Sequence, residues 1–436
     1  MTNTRDLYIR EHIVPLFDYT FNQMSKNVLE KWFEIPATTL DQIEYRQLIL
    51  KGFISNKALF DTFSYSATDF YDTYQIVFHP DLHIYRSRDI VRYYSSGTFR
   101  NRILGDLIHV CTFFYHLKHK LLDDIDIQAF PTSYQKELVF LCQFLDAFNL
   151  STFMKSIGKG RFGLRQVMSF IELLVKRQKN KQTERFFNAL QQFEVYMSLA
   201  IGIHKNGFVF PKVGGRQLNV QQAYHPYIES PVAANFYTEK QVILITGANM
   251  SGKSTLLKTV SLCVFLAHLG LAIPAKSAII PFFNHFSIMI DHNDDLASGY
   301  SHFMMEIKRL KEVVLHAQKG EACFAIFDEL FKGTNMEDAA QISKITIQGL
   351  MGFQTSLFFI TTHIHELKEA VEVQRHEVET WYLDCDVQQD VPRFTYQLKK
   401  GWSDLKIGQI LFRLEGLTEM LLTKPQDPFN RTNLVD

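Results

Sequence analysis

The feature that most constrains this chain is a glycine-containing loop between a short apolar run and an amphipathic helix. The run Gln241–Thr246 is followed by Gly247–Ser254, which matches G-x-x-x-x-G-K-[ST] at every fixed position. Apolar residues then recur at helical spacing from Leu256 to Leu266. Glycines let backbone N–H groups face an anion, and the helix directs its positive end at the same point. The bare pattern also occurs by chance in turns, but this strand–loop–helix context favours a phosphate-binding loop.

Each position of this loop has an expected role. Lys253 is expected to reach the β- and γ-phosphates of ATP, and the Ser254 hydroxyl is expected to bind Mg²⁺. The other residues expected to hold the nucleotide are Gly247, Met250, Ser251, Gly252 and Thr255. The sequence therefore predicts ATP and Mg²⁺ as cofactors.

A second apolar run, Cys323–Phe327, ends in the acidic pair Asp328 and Glu329. An acidic pair at a strand end is simply solvated in many proteins. Downstream of a phosphate loop, however, it is typical of the Walker B arrangement. Asp328 would then hold Mg²⁺, and Glu329 would orient or deprotonate the attacking water.

A third apolar run, Leu357–Thr361, is followed by His363. A single histidine is more often structural than catalytic. Its position after a third core strand favours a role near the γ-phosphate or its water. The catalytic residues predicted from the sequence are thus Lys253, Glu329 and His363.

The chain of 436 residues divides into two parts of different pattern. Residues 1–205 have helical periodicity, with a capping box at Thr39 and Gln42 and one long helix expected over Leu164–Ile203. In residues 206–436, short apolar runs alternate with amphipathic stretches, which predicts an α/β domain with a mainly parallel sheet covered on both faces. The boundary is expected at 205–215.

Composition restricts the possible partners and compartment. Lys plus Arg and Asp plus Glu number 46 each, so only local patches such as 155–165 and 176–181 could attract DNA. No signal-peptide core or transmembrane run occurs, which predicts a cytoplasmic protein with no membrane contact. The five cysteines are far apart without a CxxC pair, so no zinc site is expected.

Five sequence blocks, taken together and in this order, resemble the ATPase domain of the MutS family of DNA mismatch-repair proteins. The third block is DDLASGYSHFMME, close to the family's D-D-L-A-S-G-x-S-T-F-x-x-E, and is far more specific than the loop alone. The resemblance covers about residues 30–420 and is strong from 220. The blocks are Tyr224–Pro226, Thr246–Thr255, Asp294–Glu306, Asp328–Thr334 and Thr362–Leu367.

The resemblance implies a P-loop NTPase domain of the ABC type at 206–436, preceded by an all-α core or lever-like domain at 1–205. It also implies a homodimer or a heterodimer with another MutS-like subunit, in which Ser301 of one chain completes the nucleotide site of the other. Ser301 could instead cap the helix that follows it. Glu306 would support that helix, and Asn249 would help to hold the phosphates or water. Phe236 is a candidate for stacking on the adenine.

Several positions depart from the family pattern. In this chain Ala248 replaces the family's Pro, Ser251 replaces a Gly, His302 a Thr, Lys332 an Arg and Phe331 a Gly. The family's mismatch-recognition domain would have to precede residue 30, so we expect it to be absent. The C-terminal dimerisation extension is expected to be reduced or absent.

Three functions are compatible with these patterns. The first is a Mg²⁺-dependent ATPase that couples its nucleotide state to binding of double-stranded DNA, in mismatch repair or a related transaction. The second is an ATP-switched protein-interaction module that assembles with a partner and does not hold DNA. A transporter-type ATPase is the third, and the absence of an LSGGQ loop argues against it.

Overall fold

The computed structural model describes residues 4–79, 93–248, 250–290, 302–364, 366–369, 377–388, 391–405 and 407–422. The chain folds into two compact units. The helical unit is Tyr8–Phe210 together with Phe265–Ile273, and the sheet unit is Met1–Leu7, Pro211–Val264 and Pro274–Asp436. Sequence position alone would have grouped residues 265–273 with the sheet.

The helical unit is built around one long, largely buried helix, Gln182–Asn206. Phenylalanine rings fill its core, among them Phe53, which contacts the rings of Phe130 and Phe193 at centroid distances of 5.0 Å each. In the described part of this unit, further α-helices are Gln23–Trp32, Leu40–Ser55, Lys57–Phe60, Ala67–Val77, Gly97–Leu117, Thr132–Asp146, Leu150–Gly158 and Leu164–Lys179. Short 3₁₀ or π turns lie at Ile9–Ile13, Val14–Leu16, Lys118–Leu122 and Ile127–Ala129.

Two predictions for this unit need correction in detail. Thr39 caps its helix as expected, because its Oγ1 accepts from the Gln42 N–H at 3.3 Å, but the Gln42 side chain accepts from the Thr38 N–H instead of returning to Thr39. The prediction of a single helix over Leu164–Ile203 is wrong, because the structure has two helices there. The chain breaks at Asn180 and Lys181, where Lys181 has a φ of 55°. This polar stretch offers no apolar side chain to bury, so packing does not hold it helical.

The larger sheet of the sheet unit has the strand order β10-β9-β4-β8-β7-β6 among the described residues. All neighbouring pairs are parallel except β9 with β10. Its strands are β4 (Val242–Thr246), β6 (His285–Met289), β7 (Cys323–Phe327), β8 (Leu357–Thr361), β9 (Val378–Gln388) and β10 (Val391–Lys400). The three apolar runs predicted to be strands are confirmed as β4, β7 and β8, and each is buried along its whole length.

A smaller sheet has the order β1-β5-β2-β3 in the part of the chain described. Its strands are β1 (Lys212–Val213), β2 (Leu218–Ala223), β3 (Ala234–Thr238) and β5 (Ser277–Ile280). Among the described residues of this half of the chain, the α-helices are Lys253–His268, His302–Gln318, Met336–Leu350, Ile407–Leu414 and Leu417–Leu422. The unit division falls inside the first of these, after Val264. No helix among the described residues is long and apolar enough to cross a membrane.

Candidate functional site

The glycine-containing loop follows β4 and leads directly into the helix Lys253–His268. The Lys253 side chain is 6% exposed and folds back over the loop, where Nζ donates to the carbonyl oxygens of Gly247 and Ala248 at 2.9 Å each. Burial lowers the pKa of Lys253, while the nearby carboxylates of Glu329 and Asp328 act in the opposite direction. The ammonium group is thus held at the centre of the loop.

Glycine is favoured at Gly252 by both conformation and space. Its φ is 95°, and a Cβ there would lie 3.1 Å from Cδ1 of Tyr396. Gly247 has a φ of 135°, also in the region that favours glycine. The loop pattern therefore has a steric cause in this fold, independent of any ligand.

The carboxyl ends of β4, β7 and β8 bring the loop and the acidic pair together, because parallel strands end at the same edge of a sheet. The Ser254 Oγ donates to Oδ2 of Asp328 at 2.7 Å. The Thr361 hydroxyl donates to Oδ1 of Asp328 at 2.5 Å and accepts from the Glu329 N–H at 2.6 Å. Thr361, at the end of β8, therefore positions both acidic residues.

The Glu329 carboxylate lies between two partners, the imidazole of His363 and the ammonium group of Lys332. Nε2 of His363 donates to its Oε1 at 3.0 Å, and the Lys332 ammonium pairs with its Oε2. The His363 hydrogen bond is the main cause that lowers the pKa of Glu329 to about 2, with Lys332 helping and burial opposing. A carboxylate of such low pKa is a weak proton acceptor, which favours orienting a water over deprotonating it.

The turn after the acidic pair is anchored to the helix His302–Gln318. Phe331 has a φ of 68°, and its N–H donates to Oε2 of the buried Glu306 at 2.9 Å. A Cβ at Gly333 would lie 3.1 Å from Cβ of Phe303, so the turn approaches this helix closely. Glu306 thus connects the segment that carries Glu329 to the helix His302–Gln318.

Two cavities flank the loop. The first, of about 250 Å³, lies between Thr246–Ala248, Thr362–His363 and the segment from Trp402 to Leu411. The second, of about 380 Å³, is lined by Ser251, Gly252 and Thr255 from the loop and its helix, and by Val232 and Tyr396 from outside it.

Tyr396 presents an aromatic ring to the second cavity. The residue is 46% exposed, has a φ of 56° and lies where the β9–β10 register shifts. Tyr396 was missed from sequence, because a bulge in a strand has no clear sequence signal. Phe236, the aromatic residue suggested from sequence, is fully buried and packs near Trp381 at a centroid distance of 6.1 Å. Phe236 therefore offers no face for a base, and that suggestion is wrong.

The sequence comparisons agree with this geometry. The sequence model of MutS domain V matches residues 243–431. A DNA mismatch repair protein MutS from Bacillus pumilus is 27% identical over 54% of this chain and 28% of its own length. The MutS proteins of Listeria monocytogenes serotype 4a, at 27%, and Alkaliphilus oremlandii, at 28%, each match 56% of this chain and 29% and 28% of their own lengths. Residues 243–431 of this chain are thus similar to MutS domain V.

The matched part spans under a third of these relatives. Two residues that the MutS resemblance assigns to the nucleotide site, Asn249 and Ser301, lie outside the described residues, as do residues 294–300 of the third block. The other loop residues, the acidic pair and His363 are brought together at one edge of the larger sheet.

The basic stretches that were candidates for DNA contact lie in the helical unit. Lys159 and Arg161 are exposed in the turn between two helices. Arg177 is different, because its guanidinium lies over the rings of Phe144 and Phe148 at 5.3 and 5.4 Å and donates to the Gln182 side chain. Arg177 therefore belongs to the packing of the unit, and the exposed basic groups are the ones available to an anion.

Proposed function

We propose that this chain is a Mg²⁺-dependent ATPase that couples its nucleotide state to binding of double-stranded DNA, in mismatch repair or a related DNA transaction. The observation that carries the proposal is the 2.7 Å hydrogen bond between Ser254 and Asp328, with Glu329 and His363 beside it. This arrangement joins a phosphate-binding loop to a carboxylate that is suited to a metal ion and a second that is suited to a water.

The donor set suits Mg²⁺, which prefers oxygen ligands from one or two protein groups plus phosphates and water. Ser254 Oγ and the Asp328 carboxylate would hold the ion. When bound, Mg²⁺ neutralises charge that develops on the β- and γ-phosphates. Lys253 would exchange its contacts with the loop carbonyls for contacts with these phosphates.

Glu329 would hold the attacking water in line with the γ-phosphate, and His363 would keep the Glu329 carboxylate oriented. Asn249 is proposed to bind phosphate or water, and Ser301 of a second subunit to complete the site in trans. The base and ribose would occupy the second cavity, where the Tyr396 ring supplies a stacking face next to Thr255.

The catalytic assignment is tested with Glu329→Gln. This variant should still bind MgATP, because the loop and Asp328 are intact, but its turnover should fall about 10²- to 10⁴-fold. Glu337→Gln, a change at an exposed glutamate of the same unit, is the matched control and should keep the parent rate. Binding is measured with a fluorescent ATP analogue and turnover by phosphate release. Unchanged turnover in Glu329→Gln would remove Glu329 from the mechanism.

The DNA part of the proposal is tested by a salt titration of duplex binding with and without ATP. Arg161→Glu should weaken binding and reduce the slope of log K against log salt by about 1, as expected for one lost phosphate contact. Lys136→Glu reverses one exposed charge elsewhere in the helical unit and serves as the control. Comparison of ATPase rates with homoduplex and mismatched duplex tests whether mismatches are sensed.

The alternative is an ATP-switched module that assembles with a protein partner and does not hold DNA. Exposed apolar side chains near the C-terminus favour it, namely those of Phe412, Leu414 and Met420–Leu422. Duplex binding that is absent at low salt in both nucleotide states, with an ATP-dependent change in molecular mass, would support this alternative over the first proposal.

A further inference from the structure

A cluster of two histidines and a glutamate lies at the end of the larger sheet opposite the phosphate loop. His285 is the first residue of β6, whereas the loop and acidic pair follow the last residues of β4 and β7. Glu312 and His316 lie one helical turn apart on the helix His302–Gln318. Each of the three residues offers a nitrogen or oxygen ligand atom, and these atoms all lie within 4.8 Å of one another.

The three residues reach this position through different constraints. Residues four apart in a helix share a face, which places Glu312 and His316 together. His285 is only 4% exposed, and its ring stacks on that of His316 at a centroid distance of 3.9 Å and an angle of 13°. Stacked histidines also occur as simple packing, so the stacking alone does not identify a ligand.

The orientation of His316 adds a second, independent observation. Its Nδ1 donates to Oε2 of Glu321 at 2.8 Å. This hydrogen bond selects the tautomer in which Nε2 carries the lone pair. Metal-bound histidines almost always have such an outer carboxylate or carbonyl partner, which orients the ring and raises its basicity.

The geometry points to a binding site for a divalent transition metal of the zinc class, formed by His285, Glu312 and His316, with Glu321 as the outer partner of His316. Two imidazole nitrogens and one carboxylate oxygen are a ligand set that Zn²⁺ accepts, with a water as fourth ligand. Mg²⁺ and Ca²⁺ instead prefer sites made entirely of oxygen.

On binding, the stacked rings must turn as well as bring their nitrogens together, because an imidazole nitrogen binds a metal ion in the plane of its own ring. Two nitrogens bound to one tetrahedral Zn²⁺ are about 3.3 Å apart, given metal–nitrogen distances of about 2.0 Å. Glu312 is exposed and His316 is half-buried, so both can rotate toward the buried His285. The bound ion would fasten the edge strand β6 to the helix His302–Gln318, and through that helix to Glu306.

The expectation of no zinc site came from the absence of CxxC pairs. Cysteine pairs are only one source of zinc ligands, and histidine and carboxylate side chains are another. The sequence places His285 far from Glu312, and only the packing of the helix against the sheet brings them together.

The test uses the full chain without an affinity tag, treated with a chelator and free of nucleotide, titrated with Zn²⁺ in competition with a chromophoric chelator. We expect one equivalent of Zn²⁺ to bind, and Co²⁺ to give the visible absorption of a four-coordinate site. Glu312→Gln and His316→Gln should each lower the Zn²⁺ affinity at least tenfold. Glu229→Gln, at another exposed glutamate of the same unit, should bind as the parent does.

Folding is followed separately, so that a misfolded variant cannot imitate loss of a ligand. Without metal, Glu312→Gln should melt at the same temperature as the parent, because its side chain is exposed. Zn²⁺ should raise the melting temperature of the parent and of Glu229→Gln but not of Glu312→Gln. Absence of stoichiometric binding, or equal Zn²⁺ affinity in the parent and both ligand variants, would overturn the inference.

Discussion

Replacing Thr361 by valine tests how the acidic pair is held in place. Thr361 is fully buried at the end of β8, and its hydroxyl is shared between the Asp328 carboxylate and the Glu329 N–H. Valine has nearly the same shape but no hydroxyl. The substitution therefore removes two hydrogen bonds while leaving the packing of the strand almost unchanged.

The expected loss of stability in Thr361→Val follows from the two hydrogen bonds that the substitution removes. A hydrogen bond to a charged group contributes about 1.5–3 kcal/mol, and a buried N–H left without an acceptor costs about 1–3 kcal/mol. Because neighbouring terms are not additive and the structure relaxes, we expect a loss of about 3 kcal/mol from the unfolding free energy of the sheet unit. MgATP binding should weaken as well, because Asp328 loses one of the two groups that orient it.

Urea unfolding followed by tryptophan fluorescence measures this loss, since Trp381 is buried on β9 of the same sheet. Thr361→Ser is the matched control, because it keeps the hydroxyl and should cost only about 1 kcal/mol for the lost methyl group. If valine and serine destabilise equally, or if valine costs less than serine, the hydroxyl does not position the acidic pair as described.

Three further predictions concern other parts of the chain. Gly252→Ala should raise the Kd for ATP about tenfold, measured by calorimetry, because a φ of 95° strains a residue with a side chain and its Cβ would crowd the ring of Tyr396; unchanged affinity would contradict a rigid loop. Phe53→Ala should cost about 3–5 kcal/mol in urea unfolding of the helical unit, because it empties a fully buried ring site; a loss below 1 kcal/mol would show that neighbouring rings refill it. Glu194 accepts hydrogen bonds from Asn22 and Tyr65, and its burial raises its pKa above the ordinary 4.5. The folded state therefore keeps a proton that the unfolded state has released, so the unfolding free energy should fall as pH rises above 4.5 toward the raised pKa; Glu194→Gln should lack this slope in a pH series of urea titrations.

Local sequence was sufficient for the elements that carry the phosphate chemistry. The runs now seen as β4, β7 and β8 are apolar at every position because they are covered on both faces, and that property is visible without a structure. The loop Gly247–Ser254 is equally local, since its glycines and its lysine act within one turn. That the acidic pair would meet the loop followed from one general rule, that parallel strands end at the same edge.

Tertiary structure decided the features that depend on residues far apart in sequence. Phe236 is fully buried and therefore cannot stack on a base. The register shift between β9 and β10 places Tyr396 beside the loop instead. Packing on aromatic rings gave Arg177 a structural role that a count of basic residues could not reveal.

The amino-acid sequence by itself thus determined the phosphate loop, the acidic pair and the strands that carry them, because short-range periodicity and turn chemistry specify these. Only the fold decided the shared Thr361 hydroxyl, the Tyr396 cavity and the His285–Glu312–His316 cluster. The physical reason is that burial, strand register and the docking of a helix on a sheet are set by the sum of many weak long-range contacts. These contacts join segments that are far apart in the sequence, so no single segment predicts them.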